Sequence, residues 1–125
     1  MTRPEHARIE RAIRAAEAGT TGRIAVRIVP DKDVDAFARA KAEFEHAGLH
    51  GAHERNAALV LVAPVARKYA VLGDRDLHER VGETFWRDVV EEMRPYFASK
   101  NIAAAIVHAV ERIGKELQAH FPAAA

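Results

Sequence analysis

The side chains of this sequence that could do chemistry are mostly oxygen donors. Asp74, Glu17 and Asn56 offer two carboxylates and an amide carbonyl, with Thr20 and Asp76 behind them and Arg55 as a charge partner. Calcium takes about six to eight oxygen ligands, so it is the ion this set suits best, with another divalent cation as the alternative. The same Asp74 carboxylate would also serve to cap a following helix and pair with Arg55, leaving Glu17 solvated. Both uses stay open at the level of sequence.

Two further groups invite sharper chemistry. His50-Gly51-Ala52-His53-Glu54 places two imidazoles and a carboxylate within five residues, ligand types that favour zinc or nickel, with His78 or His6 as additional donors. Its glycine puts the stretch on a loop, unlike the helical H-E-x-x-H of metalloproteases. With seven histidines in 125 residues, clustering by chance is easy, and solvated loop histidines are the expectation. Asp31-Lys32-Asp33 follows a strand, where two aspartates could act as nucleophile and acid in phosphoryl transfer. That chemistry also needs a hydroxyl residue, a lysine and further acids arranged around a larger sheet than this length allows. A helix N-cap with an acidic first turn accounts for the pair. No catalytic residue is assigned.

The elements that position these groups follow from hydrophobic periodicity. Thr2 and Glu5 have capping-box spacing, and Ile9, Ala12, Ile13 and Ala16 repeat at helical intervals up to a stop at Gly19. Ile24, Val26 and Ile28 alternate as a strand closed by Pro30. A second helix is expected from Asp33 to Gly48, burying Val34, Phe37, Ala40 and Phe44. Residues 57–63 are apolar on both faces, which predicts a central strand covered on each side. A turn over 64–67 returns the chain into a hairpin strand over 68–72, ended by Gly73 and Asp74. Helices follow, one with Phe85, Trp86, Val89, Val90 and Met93 on its apolar face and a last one marked by Ile102, Ile106, Ile113 and Leu117.

The order predicts a three-layer α/β/α sandwich around a small mixed sheet of three or four strands. A β-α-β crossover supplies the parallel pair and a β-hairpin the antiparallel one. With that topology the N-terminal ends of the first two strands share a sheet edge with the C-terminal end of the third. Glu17, Thr20, Thr21 and Gly22, then Arg55 and Asn56, then Asp74, all converge there. The aspartates at 31 and 33 lie at the opposite edge.

Several segments, taken in order, resemble the TPM domain family of bacteria and chloroplast lumen proteins. They are Ala12-Ile13 with Ala16-Glu17, Thr20-Thr21-Gly22-Arg23-Ile24-Ala25-Val26 and Arg55-Asn56-Ala57-Ala58-Leu59-Val60. The most specific is Leu72-Gly73-Asp74 with Leu77-His78-Glu79-Arg80-Val81 and Phe85-Trp86. The ending, Ile113-Gly114-Lys115-Glu116-Leu117 with His120-Phe121-Pro122, is similar to a short bacterial subgroup. Ala52 stands where many members have Thr, and Ala57 where the strand motif has Gly. The resemblance implies the same α/β/α sandwich, bound calcium or another divalent cation in several members, and phosphatase activity in some plant members.

Composition removes other function classes. The chain has no cysteine, so thiol catalysis, disulfides and thiolate zinc sites are excluded. A formal net charge of +1 with interleaved charges gives no basic stripe for nucleic acid. No G-x-x-x-x-G-K-[ST], G-x-G-x-x-G or G-x-S-x-G occurs. The longest apolar run is too short to cross a bilayer, and no signal peptide is legible at the N-terminus. The expectation is one cytoplasmic domain over 1–125, with no nucleic-acid partner and no membrane insertion. It would bind a divalent cation and act as an interaction or accessory module, its protein partner unidentified, without turnover of its own. A metal-dependent acid phosphatase of broad specificity is the alternative, carried by the resemblance alone. A scaffold whose Ala-rich last helix docks a partner or a second copy is a third reading.

Overall fold

A strand that is apolar at every position must be covered on both faces, and β2 (Ala58–Ala63) is buried along its whole length. In the computed structural model, which describes residues 1–49 and 54–124, β1 (Ile24–Ile28) pairs parallel to one side of β2. β3 (Lys68–Gly73) pairs antiparallel to the other side, so the sheet order is β1-β2-β3. Alternation along β2 sends Ala58, Val60 and Val62 into one core and Leu59, Leu61 and Ala63 into a second.

Helices α1 (Arg3–Glu17), α4 (Glu83–Ala98) and α5 (Ile102–His120) enclose the first core. Helix α2 (Ala36–His46) closes the second through Ala40 and Phe44. A short α3 (Arg75–Val81) leads from β3 into α4. The result is the α/β/α sandwich expected from the element order, with three strands.

Local signals explain most boundaries. The Thr2 hydroxyl accepts from the Glu5 amide at 3.2 Å while the Glu5 carboxylate accepts from the Thr2 amide at 2.9 Å, a closed capping box. Gly82, at φ +81, breaks the helical run after β3 into α3 and α4, a conformation that costs glycine little. Asn101 caps α5 by accepting from the Ala104 amide at 3.2 Å.

The expected start of α2 is corrected. Asp35, two residues later than Asp33, is the N-cap and accepts from the Ala38 amide at 3.1 Å. Asp31 instead pairs with Arg39 at 2.7 Å, and the Asp33 side chain is 98% exposed. Phe37 is also not core: it is 54% exposed, with the Lys41 ammonium 4.6 Å over its ring. Position 37 shares the face of Ala40 and Phe44 but sits in the first turn of the helix, where it lines an open cleft with Lys41 instead of packing into the core.

Candidate functional site

The sheet topology brings the starts of β1 and β2 and the finish of β3 to one edge. At the β1 corner, the Glu17 carboxylate accepts from the Ile24 amide at 2.8 Å, so it ties the end of α1 to the first residue of β1 rather than standing in solvent. The Thr20 hydroxyl donates to the Phe121 carbonyl at 2.6 Å and accepts from the Gly22 amide at 3.1 Å. It fastens the end of α5 to this corner, where Thr20 and Pro122 form an isolated bridge. Asn56 sits between the corners, buried, with its Nδ2 donating to the Thr21 hydroxyl at 3.0 Å.

The β3 corner is built around Arg55. Its Nε donates to Asp74 Oδ2 at 3.1 Å and its Nη2 lies 2.9 Å from Asp74 Oδ1, a two-pronged fork on one carboxylate. Asp74 Oδ1 also accepts from the Arg75 amide at 2.8 Å as the N-cap of α3. The Asp74 side chain is only 5% exposed, whereas that of Arg55 is 40% exposed. Asp76 accepts from the Arg55 amide at 2.8 Å and from Arg75 Nε at 3.1 Å. The Arg55 carbonyl in turn accepts from the Asp76 and Leu77 amides, so residues 55 and 74–77 are knitted by backbone as well as by charge.

These contacts set the electrostatics. The Asp76 carboxyl is held below its ordinary value, first by the Arg55 amide and then by the Arg75 side chain. The Arg55 guanidinium is pushed up, chiefly by its hydrogen bonds to Asp74. Both groups are therefore ionised across the neutral range.

A cleft of about 330 Å³ opens beside this corner, lined by Arg55, Gly73 and Asp74 from the edge and by Lys41, Phe44 and Glu45 from α2. Lys41 and Glu45 face it, and sequence spacing carried one cue to them: they stand four apart, one turn along a helix face. Gly73 is required for the corner's shape. A Cβ there would lie 2.3 Å from Trp86 Cζ2, so the indole rests directly on the strand end. Trp86 Nε1 donates to His78 Nδ1 at 3.0 Å, which engages that ring nitrogen in packing.

Of the residues singled out by sequence, the oxygen donors Asp74 and Asp76 come together with their charge partner Arg55 at the β3 corner. Glu17 and Thr20 are at the β1 corner, and Asn56 joins the two through Thr21. Strands spaced about 4.8 Å apart put β1 and β3 about 10 Å from one another. Among the described residues no three His, Asp or Glu side chains gather closely enough to hold a metal ion. His50 and His53 lie outside the described residues. Among those residues, too, no helix is long and apolar enough to cross a membrane.

With this geometry in place, similarity to other proteins acquires a structural meaning. A family model described as TPM domain matches residues 1–116. The chain superposes on the NMR structure of BA42 protein from the psychrophilic bacterium Bizionia argentinensis with a TM-score of 0.86 at 28% identity, covering 98% of this chain and 84% of that one. The solution NMR structure of the N-terminal domain of cg2496 protein from Corynebacterium glutamicum gives a TM-score of 0.75 at 14% identity. That match covers 99% of this chain and 78% of the other, and it is a likeness of fold. No curated protein matches the sequence.

Proposed function

This chain belongs to the TPM domain family, and on that premise we propose that it is a divalent-cation-binding module, calcium first, whose site is the Arg55–Asp74–Asp76 corner. The observation that carries the reading is the state of Asp74. A carboxylate 5% exposed lines an open cleft, and its charge is met there by a guanidinium whose side chain is 40% exposed. The solvent-facing end of that pair is the cation, so on this reading a second cation from solvent competes with Arg55 for the Asp74 carboxylate.

Asp74 and Asp76 would supply hard oxygen to the ion, which suits calcium or magnesium over zinc. Glu45 on the facing wall brings a further carboxylate to the cleft, with Lys41 one turn away. Calcium accepts water and backbone carbonyls as its remaining ligands, so two or three carboxylates in the neighbourhood are compatible with binding. The residues therefore fit the ion by donor chemistry.

The same corner argues for a module over an enzyme. Asp76 is held ionised by an amide and an arginine, which makes it a weak base and no acid at neutral pH. Asp74 is engaged as a helix cap. An accessory role toward a protein partner follows as part of the proposal.

A calcium titration monitored by melting temperature tests it. Saturating calcium raises the Tm of the wild type, because a ligand of the folded state stabilises it by mass action. Asp74→Asn keeps a competent N-cap and removes the charge, so its calcium increment is lost. An equal calcium response in both proteins sinks the assignment. Hydrolysis of p-nitrophenyl phosphate that disappears in Asp74→Asn would establish the phosphatase alternative instead.

A further inference from the structure

At the other end of the sheet, where β2 finishes, the structure holds a larger cavity of about 560 Å³. It lies beneath the β2–β3 hairpin and against the junction of α4 and α5. Four of its lining residues are cationic, Arg67, Lys68, Arg94 and Lys100, and none is acidic. Its floor is apolar, with Tyr69 and Phe97 stacked at 4.2 Å between centroids and 26° between planes. The Tyr69 hydroxyl reaches the Val90 carbonyl at 3.5 Å. We propose that this cavity binds a small anionic amphiphile, a carboxylate or phosphate head carried on an apolar body.

Three observations carry the proposal independently of the calcium reading. The first is volume and chemistry: a concave, mainly apolar space of this size with a few convergent polar groups is the usual form of a small-molecule site. The second is position: the cavity is walled by the β2–β3 hairpin on one side and the α4–α5 junction on the other, so its lining comes from separate elements that the fold fixes relative to one another. The third is backbone conformation. Among the described residues, the non-glycine positions with positive φ are Arg67 at 56° and Lys100 at 61°, and both are cations of this rim.

Those two positions ordinarily belong to glycine. Lys100 follows α4, with its amide bonded to the Phe97 carbonyl and the Asn101 amide to the Tyr96 carbonyl, a helix ending that favours glycine. Arg67 closes the hairpin turn, its amide bonded to the Pro64 carbonyl at 3.2 Å. A left-handed conformation is unfavourable for any side chain with a Cβ, so stability alone does not call for a long cation at either place. Among the described residues neither side chain has a hydrogen bond or ion pair. The other two rim cations are loosely held, Lys68 at 3.8 Å from the exposed Asp33 and Arg94 at 2.9 Å from the exposed Glu91. The rim therefore offers an anion two cations without a side-chain partner and two in exposed pairs, while the aromatic floor accepts an apolar body.

Octanoate, 1-octanol and inorganic phosphate separate the two halves of the site. We expect octanoate to shift the backbone amide resonances of Arg67, Lys100 and Ile102 and to leave those of Arg55 and Asp74 in place. We expect 1-octanol and phosphate each to bind at least tenfold more weakly. Equal binding of octanol removes head-group recognition, and equal binding of phosphate removes the apolar floor; either result overturns the proposal, as does no octanoate binding at millimolar concentration. Association with phosphatidylglycerol vesicles without octanoate binding would likewise overturn it in favour of a membrane surface. Arg67→Gly and Lys100→Gly should each weaken octanoate at least fivefold while Tm stays level or rises. Arg94→Gln, away from the strained positions, should weaken it without a change in Tm. Affinity unchanged in the Arg67→Gly, Lys100→Gly double variant refutes the site.

Discussion

The two ends of the sheet handle charge in opposite ways. Where β1 and β2 begin, the carboxylates are enclosed: Glu17 holds the Ile24 amide, Asp74 holds Arg55 and the Arg75 amide, and Asp76 holds the Arg55 amide and Arg75. Where they finish, four cations border an apolar cavity with two weak, exposed ion pairs between them. At the first end charge has become part of the framework. At the second it is still available. The carboxylates conspicuous by type already serve the fold, so a cation at the first end must displace Arg55 from Asp74, whereas an anion at the second meets lysines and arginines held by exposed pairs or by none.

The strongest way to break this comparison is Asp74→Ala. It removes a helix cap and leaves the Arg55 fork without its carboxylate, and urea unfolding should register a loss of about 2–3 kcal/mol. A loss under about 1 kcal/mol would put this corner on the same footing as the hairpin end. Gly73→Ala attacks the same corner sterically. The new Cβ meets the Trp86 ring, and the overpacking should cost about 1–2 kcal/mol with an altered near-ultraviolet dichroism signal from the indole. An unchanged Trp86 signal and unchanged stability would show that the strand end is looser than its packing.

Acid unfolding sharpens the comparison. The Asp76 carboxyl is depressed below its ordinary 3.8 in the folded protein, so its stabilising contribution is present above that value and is lost as pH falls through the folded pKa. Wild type and Asp76→Asn should therefore differ in stability at neutral pH and converge below about pH 3.8. A gap that does not narrow at all as pH falls below 3.8 would assign the difference to packing and not to ionisation. The smallest effect is predicted at the opposite end: Lys68→Ala and Arg94→Ala should each change unfolding stability by less than about 0.5 kcal/mol, as exposed pairs do. A larger loss there would mean that those cations, too, are framework.

Much of the architecture was legible because its causes are local. The uniform apolarity of residues 58–63 requires two covering layers, the 64–67 turn requires a hairpin, and the capping box at Thr2 sits where the first helix begins. The shared edge of Glu17, Asn56 and Asp74 followed from strand direction alone. The bond of Glu17 to a strand amide was not legible, because that amide lies seven residues away across a turn whose path no local pattern specifies. The α2 cap was misplaced for a related reason. Asp31, Asp33 and Asp35 are equivalent by type, and the pairing of Asp31 with Arg39 and the packing of Ala40 and Phe44 on the sheet decide which one meets the helix.

By itself, then, the sequence determined the layers, the strand order and which residues reach each sheet edge, since hydrophobic period and strand direction are properties of contiguous chain. Only the tertiary structure decided what those residues meet. Asp74 becomes a buried cap because Arg55, nineteen residues earlier, arrives beside it, and Arg67 and Lys68 face Arg94 and Lys100 because the hairpin folds over the end of α4. Such meetings depend on the docking of whole elements, which no single stretch of chain encodes.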